Sequence, residues 1–539
     1  MSSCEHRPNP QTAGGMSAAS SGEVPIKGEF GAPMPGGEKS FKLSTKTDQA
    51  NTWNGALLLS SCFIDGRWVE GAAGEFTDVL NPANESSLAR VKVASPAQAG
   101  QAVAAARKAF DEGPWGTINP DDRGRLLHRL CDQFEANREE FIDLVILETG
   151  SPRPLARNGQ VQAALDVLRW FADIARTGPP GGYERGLPLQ YGPVTTASFL
   201  RHEPAGVVAA ITAYNYPLLL LARKLGGVLA SGCTTVVLPS ERAPLATWRF
   251  FQLLEEVGYP SGVVNLLIGG KDVGLALTTD PQVDIVSFTG SVVVGREVMR
   301  QAAATTKRVL LELGGKSPTI VLPGADLAAC VGPSILRFTV AAGQGCGCTT
   351  RTLVSRNDYE AYADAARGFI NGLRVTDPRL ESTDVGPLIR SEHRDRVEGY
   401  VGRALDQGAS IIAGGGRPDE PVGYYMNPTL IGEVGNASEI ATSELFGPVG
   451  VLMPYGTVDE AIAIANNSRF GLHASVFGPT AAAMDVARRL SSGTVTINGG
   501  GGPRPDTPWG GYRDSGIGRE QGDDGFREFF EVKHIQWPI

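Results

Sequence analysis

From Gly206 onward, short apolar runs rich in β-branched residues alternate with longer stretches whose apolar positions recur at helical spacing. The runs GVVAAIT, CTTVVLP, GVVNLLIG, VDIVSFTG and RVLLELGG predict five strands, and helical stretches such as PLLLLARKLGGVLASG lie between them. Apolar strands separated by helices are typical of an open parallel sheet covered on both faces. Such a sheet binds its ligands at the carboxyl ends of its strands.

Flanking stretches extend this α/β pattern in both directions. Ahead of it, CFIDGRWVEG predicts a short hairpin around its Asp-Gly pair, and residues 96–110 and 123–149 have helical patterns. Beyond Lys316, PTIVLP, a helical stretch toward Cys346, RTLVS and the helical DYEAYADAARGFINGL predict a second α/β unit. The last segment, FREFFEVKHIQWPI, is aromatic and apolar. We expect it to be extended and pinned against the chain's own body or a neighbouring subunit.

Composition adds a view of the domain organisation. The chain has 539 residues, of which 42% are apolar and 20% are charged, as is ordinary for a globular protein. A chain of this length is too long for a single hydrophobic core, so two or three domains are expected. Residues 1–55 are rich in glycine, serine and proline, a composition that buries too little surface to order itself. They predict a flexible N-terminal extension.

Charge and cysteine usage exclude several classes of function. The net charge is −9, from 49 basic and 58 acidic residues without a long run of one sign, so no nucleic-acid partner is expected. No apolar run is long enough to span a bilayer, and no secretory signal is evident at the N-terminus. Seven scattered cysteines without a CxxC pair, and six isolated histidines, argue against a disulfide framework and a metal site. We therefore expect a cytoplasmic protein without a metal.

The candidate chemistry centres on residues 343–351, GQGCGCTTR. Most free cysteines are small buried apolar residues, but the glycines on either side of Cys346 open the backbone and leave its thiol accessible. A disulfide between Cys346 and Cys348 would be strained, because the two are only two positions apart. We interpret the pair as one nucleophile and one bystander.

A nucleophilic thiol also needs a base and an oxyanion partner. Asn215 in TAYNYP and Glu312 in LLELGG follow predicted strand ends, although such an Asn is commonly a helix cap and such a Glu commonly lies at the surface. In FTGSVVVG, Gly290, Ser291 and Gly295 open a helix whose free N–H groups suit a pyrophosphate. Many strand–helix turns carry Gly-Ser only for cap geometry. None of these signals identifies a function by itself.

Taken together, the motifs resemble the aldehyde dehydrogenase superfamily, of the NAD(P)-dependent hydrolytic type, from about residue 62 to residue 539. Eight motifs occur in the family's order and at closely similar spacing: TAYNYP, LPSERAP, FTGSVVVG, LELGGKSP, GQGCGCTTR, ELFGPV, ANNSRFGLHASVFG and PWGGYRDSGIGREQGDDG. The resemblance implies an α/β fold in three parts. These are a Rossmann-type NAD-binding domain (residues 56–187 and 204–314), an α/β catalytic domain (315–500) and strand segments that pair subunits (188–203 and 526–539) in a homodimer or homotetramer.

The resemblance also implies roles for individual residues. In this family the cysteine of GQxC is the nucleophile, so Cys346 would attack the aldehyde carbon and form first a thiohemiacetal and then a thioester. Asn215 and the backbone N–H of Cys346 would hold the oxyanion, Glu312 would activate the hydrolytic water, and Lys224 would support the hydrogen bonding of the site. The residues implied in cofactor binding are Ser240, Glu241, Gly290, Ser291, Gly295, Leu313, Glu444 and Phe446.

Departures from the family pattern bear on both ligands. Leu238 replaces a lysine that binds the adenosine ribose in most members, but the Glu241 carboxylate would accept both ribose hydroxyls and repel a 2′-phosphate, so NAD is favoured over NADP. Arg223 stands where many members place a tryptophan. Members that act on semialdehydes with a distal carboxylate have an arginine there, and an ordinary pair with a protein carboxylate is the alternative. Tyr216 is the other candidate substrate contact. Glycine and proline in NGGGGPRPD, residues 498–506, predict a wider entrance.

Rival functions differ from this prediction at identifiable residues. CoA-acylating or reductive relatives typically lack the hydrolytic glutamate, so Glu312 argues against them. A thiol esterase would need no NAD. A non-catalytic structural or binding homologue would have no reason to retain Cys346, Asn215, Glu312 and Glu444 together. The predicted function is therefore NAD-dependent oxidation of a small-molecule aldehyde, with a semialdehyde-specific enzyme as the alternative.

Overall fold

The computed structural model describes residues 24–25, 42–43, 51–53, 56–59, 62–420, 422–500 and 504–539. The predicted N-terminal extension, residues 1–55, lies mostly outside these described residues and stays a prediction. The chain divides into two compact units, residues 1–58 and 59–539. In the first unit, the strand Val24–Pro25 pairs antiparallel with Lys42–Leu43. The candidate chemistry belongs to the second unit.

An eight-stranded sheet contains all five strands predicted from the apolar runs, side by side and parallel. The order of its strands is Gly516–Ile517, Arg308–Glu312, Ile285–Thr289, Val207–Ile211, Thr234–Leu238, Val264–Leu267, Cys62–Ile64 and Arg67–Val69. The first strand and the last two are antiparallel to their neighbours. The predicted open parallel sheet is therefore confirmed, and the predicted hairpin forms one edge of the sheet.

Both faces of this sheet are buried, as its uniformly apolar strands predict. Val207 and Ala209 pack on one face with Val103, whereas Val208, between them in sequence, packs on the other face with Val228 and Phe529. Successive side chains of a strand point to opposite faces, so an apolar residue is needed at every position. The helices of this half are Pro96–Asp111, Pro120–Ala136, Arg138–Thr149, Ala163–Thr177, Pro217–Ser231, Leu245–Val257, Lys271–Thr279 and Val292–Ala302.

The helical pattern over residues 123–149 forms two helices that meet at Asn137. This residue departs from helical geometry, with φ −106° and ψ 19°, and its side-chain amide donates a hydrogen bond to the carbonyl oxygen of Gln133 at 2.8 Å. Asparagine offers the backbone a local hydrogen bond in place of the helical one. The apolar spacing continues across this break, which is why the sequence pattern alone does not reveal it.

A seven-stranded sheet forms the second α/β unit that the sequence predicts after Lys316. The order of its strands is Ser410–Ala413, Thr429–Gly432, Val449–Tyr455, Thr349–Ser355, Ser317–Val321, His473–Phe477 and Thr494–Ile497. All neighbours are parallel except the first pair. The helices of this unit are Leu327–Thr339, Tyr359–Asn371, Ser391–Asp406, Glu439–Thr442, Val458–Asn466 and Thr480–Arg489.

A three-stranded antiparallel sheet uses the end of the chain. Phe530–Pro538 pairs with Thr196–Pro204 over nine residues, and Glu184–Gly186 pairs with the other edge of Thr196–Pro204. The apolar tail is thus extended and pinned to the chain itself, although its first residues belong to the short helix Gly522–Arg527. A separate hairpin joins Phe76–Leu80 to Ser87–Lys92. Within the described stretches, no helix is long and apolar enough to cross a membrane.

Arg351, the last residue of GQGCGCTTR, anchors the loop that carries the two cysteines. It is 1% exposed, and its guanidinium donates hydrogen bonds to the carbonyl oxygens of Lys316 (2.9 Å), Ile464 (3.0 Å) and Ala465 (2.8 Å) and to Asn436 Oδ1 (3.0 Å). One side chain therefore joins three segments around the start of the strand that follows Cys348. Burial lowers the pKa of Arg351 to about 10, so the group is still a cation at neutral pH.

We expect Arg351→Lys to lower the free energy of unfolding by roughly 3–5 kcal/mol, because an ammonium group cannot reach all four acceptors and leaves two or more buried and unpaired. Urea unfolding followed by circular dichroism measures this change. The matched control is Arg367→Lys, since Arg367 pairs on the surface with Asp364, and its effect should stay within about 0.5 kcal/mol. Equal effects of the two changes would show that Arg351 anchors nothing.

Candidate active site

One cleft, with a volume of about 2100 Å³, collects most of the residues singled out in the sequence. The eight-stranded sheet contributes the carboxyl ends of its five parallel strands and the segments after them: 211–216, 238–242, 269–271, 288–291 and 312–314. The seven-stranded sheet contributes segments that precede its strands, including residues 345–348 and the loop with Glu444 and Phe446. The carboxyl ends of one sheet therefore face the amino ends of another, which is where the parallel-sheet rule places a ligand.

Cys346 follows a tightly constrained turn. Ala341, Ala342 and Gly343 all have left-handed φ angles, of 52°, 52° and 72°, and a Cβ atom at Gly343 would lie 2.0 Å from the carbonyl oxygen of Gly447. Only glycine fits at that third position. The turn brings Cys346 into the cleft with its side chain partly exposed, and its thiol is free.

Cys348 also lines the cleft, with 7% of its surface exposed, and its thiol is free as well. A Cβ atom at Gly345 would lie 2.9 Å from the Cys348 sulfur, which shows how closely the thiol folds back on this loop. In the part of the chain that the structure describes, no cluster of three or more His, Cys, Asp or Glu residues could hold a metal ion.

Asn215 lies against the loop that carries Cys346. Its side-chain Nδ2 donates to the backbone carbonyl of Gln344 at 2.8 Å, and its Oδ1 is buried without a hydrogen-bond partner in the structure. The Gln344 side chain is itself held, because its Oε1 accepts from Tyr214 Oη (3.1 Å) and from the N–H of Ile389 (3.0 Å). The amide of Asn215 has a second proton besides the one bonded to Gln344, and Asn215 and Cys346 line the same cleft.

Glu312 ends a parallel strand and is 3% exposed, with one carboxylate oxygen buried and unpartnered. Burial, and then the nearby Glu520 carboxylate, raise the pKa of Glu312 well above its ordinary value, while the cationic groups of Lys224 and Arg223 act in the opposite direction. Lys224 is fully buried, and its Nζ donates to Glu520 Oε1 at 2.5 Å and to Ser287 Oγ at 2.9 Å. Two carboxyl groups and one lysine therefore form a single buried cluster.

Glu520 is a site residue that the sequence reasoning missed. It lies in the motif PWGGYRDSGIGREQGDDG, which carried the family resemblance without a role for this residue. It is 4% exposed and contacts Lys224, on a helix 296 positions earlier in the chain. The sequence shows only that this glutamate lies inside a glycine-rich motif, which does not identify Lys224 as its partner.

The Cys346 thiol is held in its protonated form by its surroundings. Burial, and then the charge of Glu312, raise the pKa of Cys346 to about 12, and the cation of Arg223 only partly offsets them. The thiol therefore has to lose its proton before it acts as a nucleophile. A carboxyl group whose own pKa is raised is a stronger base once ionised, and Glu312 is such a group, suited to take a proton from a water molecule.

The other part of the cleft presents one helix N-terminus and two glutamates. Ser291 Oγ accepts from the N–H of Val294 at 3.4 Å and caps the helix Val292–Ala302, next to Gly290. Glu241 stands beside Gly270, where an added Cβ would lie 3.4 Å from its Oε2. This geometry leaves N–H groups for a phosphate and a carboxylate for ribose hydroxyls, so these residues fit a dinucleotide.

Glu444 and Phe446 form the opposite wall of that part. Glu444 Oε1 accepts from the N–H of Gly315 at 3.0 Å, and burial raises the pKa of Glu444 to about 6. Phe446 has a left-handed φ of 61°, which its neighbours fix: His393 Nε2 contacts its carbonyl oxygen at 2.7 Å, and its ring packs edge-on against Tyr214 with 6.1 Å between centroids. Both side chains are therefore fixed in place at the cleft.

Two of the expected site residues do not line the cleft. Gly295 lies within the helix Val292–Ala302, and a Cβ atom there would lie 2.5 Å from a methyl group of Leu313, so this glycine permits close packing of helix and strand. Lys224 is buried, and its ammonium group bonds to Ser287 and Glu520 instead of lining the cleft. The remaining expected residues line the cleft: Asn215, Tyr216, Arg223, Ser240, Glu241, Gly290, Ser291, Glu312, Leu313, Cys346, Glu444 and Phe446.

A contiguous part of the lining, the arginine patch, lies beyond the cysteines. Its residues are Tyr216, Arg223, Arg337, His473, Thr496 and Trp509. The Arg223 guanidinium lies 5.0 Å from the ring centroid of Trp509, and its Nε donates to Gln521 Oε1 at 2.9 Å. Trp509 and Arg337 are further residues that the sequence reasoning missed. Part of the predicted wide entrance, residues 501–503, lies outside the described residues.

Comparison with known proteins identifies the family of this chain. The family model described as the aldehyde dehydrogenase family matches residues 68–535. The chain belongs to the aldehyde dehydrogenase family. It is 38% identical to a 3-succinoylsemialdehyde-pyridine dehydrogenase of Pseudomonas sp, over 88% of this chain and 97% of that protein. It is 35% identical to a betaine aldehyde dehydrogenase of Bacillus subtilis, over 89% of this chain and 97% of that protein.

The fold agrees with solved structures of this aldehyde dehydrogenase family. A crystal structure of betaine aldehyde dehydrogenase from Staphylococcus aureus in complex with NAD+ matches with a TM-score of 0.85 and 35% sequence identity. The match covers 88% of this chain and 94% of that chain. The aldehyde dehydrogenase fold that the sequence motifs implied is confirmed.

The high pKa of Cys346 in this aldehyde dehydrogenase predicts how its alkylation depends on pH. With a pKa of about 12, the thiolate fraction rises about tenfold per pH unit, so the rate of reaction with iodoacetamide should rise tenfold per unit between about pH 7 and pH 10 without a plateau. Mass spectrometry of the peptide that carries Cys346 measures the rate, and Cys346→Ser identifies modification of Cys348 in the same peptide. A plateau near pH 8 would contradict the prediction.

Proposed function

We propose that this chain oxidises an aldehyde to the carboxylic acid with NAD+ and water. The observation that carries the proposal is the meeting of Cys346, Asn215 and Glu312 in one cleft: a thiol, an amide with a free proton and a buried carboxyl group. These are the nucleophile, the oxyanion donor and the base that acyl chemistry on an aldehyde requires. Membership of the aldehyde dehydrogenase family supports it.

In the first step the Cys346 thiol loses its proton to solvent, and its sulfur attacks the carbonyl carbon as the carbonyl oxygen takes up the negative charge, which gives the thiohemiacetal anion. The Asn215 amide and the backbone N–H of Cys346 donate hydrogen bonds to the developing oxyanion, and the loss of one such donor raises the barrier by roughly 3–4 kcal/mol. The bond between Asn215 and Gln344 holds the amide in place before substrate arrives. Bound NAD+ supplies the acceptor for the hydride that leaves the former aldehyde carbon.

In the second step Glu312 takes a proton from water as the water oxygen attacks the thioester carbon. The carbon–sulfur bond breaks, the acid is released and Cys346 returns to its starting form. The buried lysine beside this carboxylate favours its ionised form, whereas burial opposes ionisation. Glu312 therefore combines strong basicity with an environment that still allows it to lose its proton.

We assign the cofactor-binding residues as the sequence motifs implied, with Glu241 on the adenosine ribose and Glu444 and Phe446 at the nicotinamide end. A 2′-phosphate beside the Glu241 carboxylate would be repelled by about 1–4 kcal/mol, so NAD is preferred to NADP. Leu238 is 4% exposed beside this site and offers no donor to the ribose, which leaves Glu241 to supply that recognition.

The proposal includes the domain organisation, the assembly and the location. Residues 56–187 and 204–314 bind the cofactor, residues 315–500 carry catalysis, and residues 188–203 and 526–539 pair subunits into a homodimer or homotetramer. Large apolar side chains on those last segments are exposed in the single chain, among them Tyr191 (79%), Val532 (59%) and Trp537 (43%). This is expected of a surface that a neighbouring subunit covers. The six cysteines in the described residues form no disulfide, which suits a reducing cytoplasm.

NADH formation with a panel of aldehydes tests the reaction. We expect turnover with NAD+ that is abolished in Cys346→Ala. In Glu312→Gln we expect a burst of about one NADH per site, followed by steady-state turnover reduced roughly 10²–10⁴-fold, because only thioester hydrolysis needs this base. Stopped-flow absorbance separates the two phases. The absence of turnover with every aldehyde in the wild-type protein would leave a non-catalytic homologue as the better explanation.

A second candidate is an enzyme specific for aldehydes that carry a distal carboxylate. The observation that favours it is the state of Arg223, which is 8% exposed, lines the cleft and has no carboxylate within 4.0 Å among the described residues. Its neighbour Glu520 is already paired with Lys224. A buried arginine without a protein counter-ion is suited to a bound anion. The same cation would disfavour betaine aldehyde, whose trimethylammonium group is positive.

For this candidate we expect Arg223→Leu to lower kcat/KM for succinic semialdehyde roughly 10–100-fold and for butanal less than about threefold, because only the first substrate loses a charge-assisted bond. Steady-state kinetics with matched chain lengths measures both values. Equal losses with the two substrates would assign Arg223 to support of Trp509 and Gln521 rather than to substrate binding.

A further inference from the structure

The arginine patch holds a second cation that the proposed reaction does not use. Arg337 lies on the helix Leu327–Thr339 and lines the same cleft as Arg223. Its one hydrogen bond to the described residues is from Nη2 to the carbonyl oxygen of Gly499, at 2.7 Å. No carboxylate of the described residues lies within 4.0 Å of it. Arg504, another cleft-lining arginine, is by contrast paired with Asp506 at 2.5 Å.

The two unpaired arginines lie at different depths. Arg223 is 8% exposed, contacts the face of the Trp509 ring, and is close enough to Cys346 to lower the pKa of its thiol. Arg337 is only half-buried and is bonded to Gly499, a residue flanked by exposed neighbours at the end of the strand Thr494–Ile497. Arg337 therefore marks the outer part of the patch and Arg223 the inner part.

A half-buried guanidinium with a single hydrogen bond has unused donors. Arginine presents five N–H groups in a planar fork, and a carboxylate can accept two of them at once. The charge is costly to bury without a partner, and burial indeed lowers the pKa of Arg337. The two other titratable groups of the patch are neutral at physiological pH: burial lowers the pKa of His473 to about 4, and burial raises the pKa of Tyr216. The arginine patch thus has two unpaired positive charges, one on the buried Arg223 and one on the half-buried Arg337.

We propose that Arg337 is an outer anion-binding position, so that the enzyme prefers aldehydes with a terminal carboxylate on a chain longer than that of succinic semialdehyde. The inference rests on the proposed aldehyde oxidation. A short semialdehyde places its carboxylate at Arg223 when its carbonyl carbon is at Cys346, and a longer one reaches Arg337. The arginine that binds the carboxylate therefore depends on the length of the substrate's carbon chain.

A chain-length series tests this assignment. The substrates are succinic, glutaric and adipic semialdehydes, and the uncharged controls are butanal, pentanal and hexanal. In Arg337→Met we expect KM for adipic semialdehyde to rise about tenfold or more with kcat within about twofold, and hexanal to be unaffected. In Arg223→Leu the larger loss should fall on succinic semialdehyde. Arg337→Lys should recover part of the loss, since it keeps the charge without the fork.

A matched control variant and two possible results test whether Arg337 binds the substrate carboxylate. Arg504→Gln removes a cleft-lining arginine whose charge is already paired, and it should change none of these KM values more than about twofold. If Arg337→Met lowers kcat/KM equally for hexanal and adipic semialdehyde, Arg337 only holds the Gly499 loop and the proposal is overturned. A preference for glyceraldehyde 3-phosphate over all three semialdehydes would overturn the carboxylate class in favour of phosphate.

A binding measurement keeps the inference separate from the reaction itself. Adipate should slow the alkylation of Cys346 by iodoacetamide in the wild-type protein, whereas 1,6-hexanediol should not. In Arg337→Met the adipate concentration for half-protection should rise about tenfold, at an unchanged melting temperature. If no aldehyde is oxidised but adipate protects in this way, the proposed function fails and the anion position stands. If aldehydes are oxidised and adipate gives no protection, the proposed function stands and the anion-binding position at Arg337 fails.

Discussion

The site depends on keeping two carboxyl groups buried beside one lysine. Glu312 and Glu520 are 3% and 4% exposed, and Lys224 between them is fully buried. Removing such groups from water costs several kcal/mol per ion unless partners replace the solvent. One glutamate ends a strand, the other lies near the C-terminus, and the lysine comes from a helix between the parallel strands. The carboxyl group that we propose as the base of the reaction therefore has its buried partners only when all three segments are folded together.

The meeting of two sheets explains why a single cleft can hold a cofactor and a nucleophile. The eight-stranded sheet offers the carboxyl ends of its strands, where turns and a helix N-terminus suit phosphate and ribose. The seven-stranded sheet offers the loops before its strands, and the left-handed turn at residues 341–343 directs Cys346 toward that edge. Arg351 then fixes the loop from behind through acceptors in three segments. Neither sheet has all the groups the reaction needs.

Sequence patterns predicted the five parallel strands, the second α/β unit and the family, because apolar periodicity and motif order are local properties of the chain. They did not predict that Gly295 would pack under Leu313 instead of lining the cleft, or that a helical stretch would break at Asn137. Glu520, Trp509 and Arg337 were missed for another reason. These residues are recognised by the side chains that they contact, which lie more than 150 positions away in the sequence, or by the lack of a nearby carboxylate. The spacing of residues in a sequence shows neither property.

The pairing of Phe530–Pro538 with Thr196–Pro204 has a consequence for how the protein is made. Residues 504–521 bring Trp509 and Gln521 into the cleft and Glu520 against Lys224, and Phe529 fills the space left open by Gly227. During synthesis these residues leave the ribosome after the strands of both large sheets, apart from Gly516–Ile517. The emerging chain can assemble most of both sheets beforehand, but the cleft and the three-stranded sheet are completed only once residues 504–538 have emerged. A product truncated before residue 504 would therefore lack part of the cleft lining and leave one edge of the strand Thr196–Pro204 uncovered.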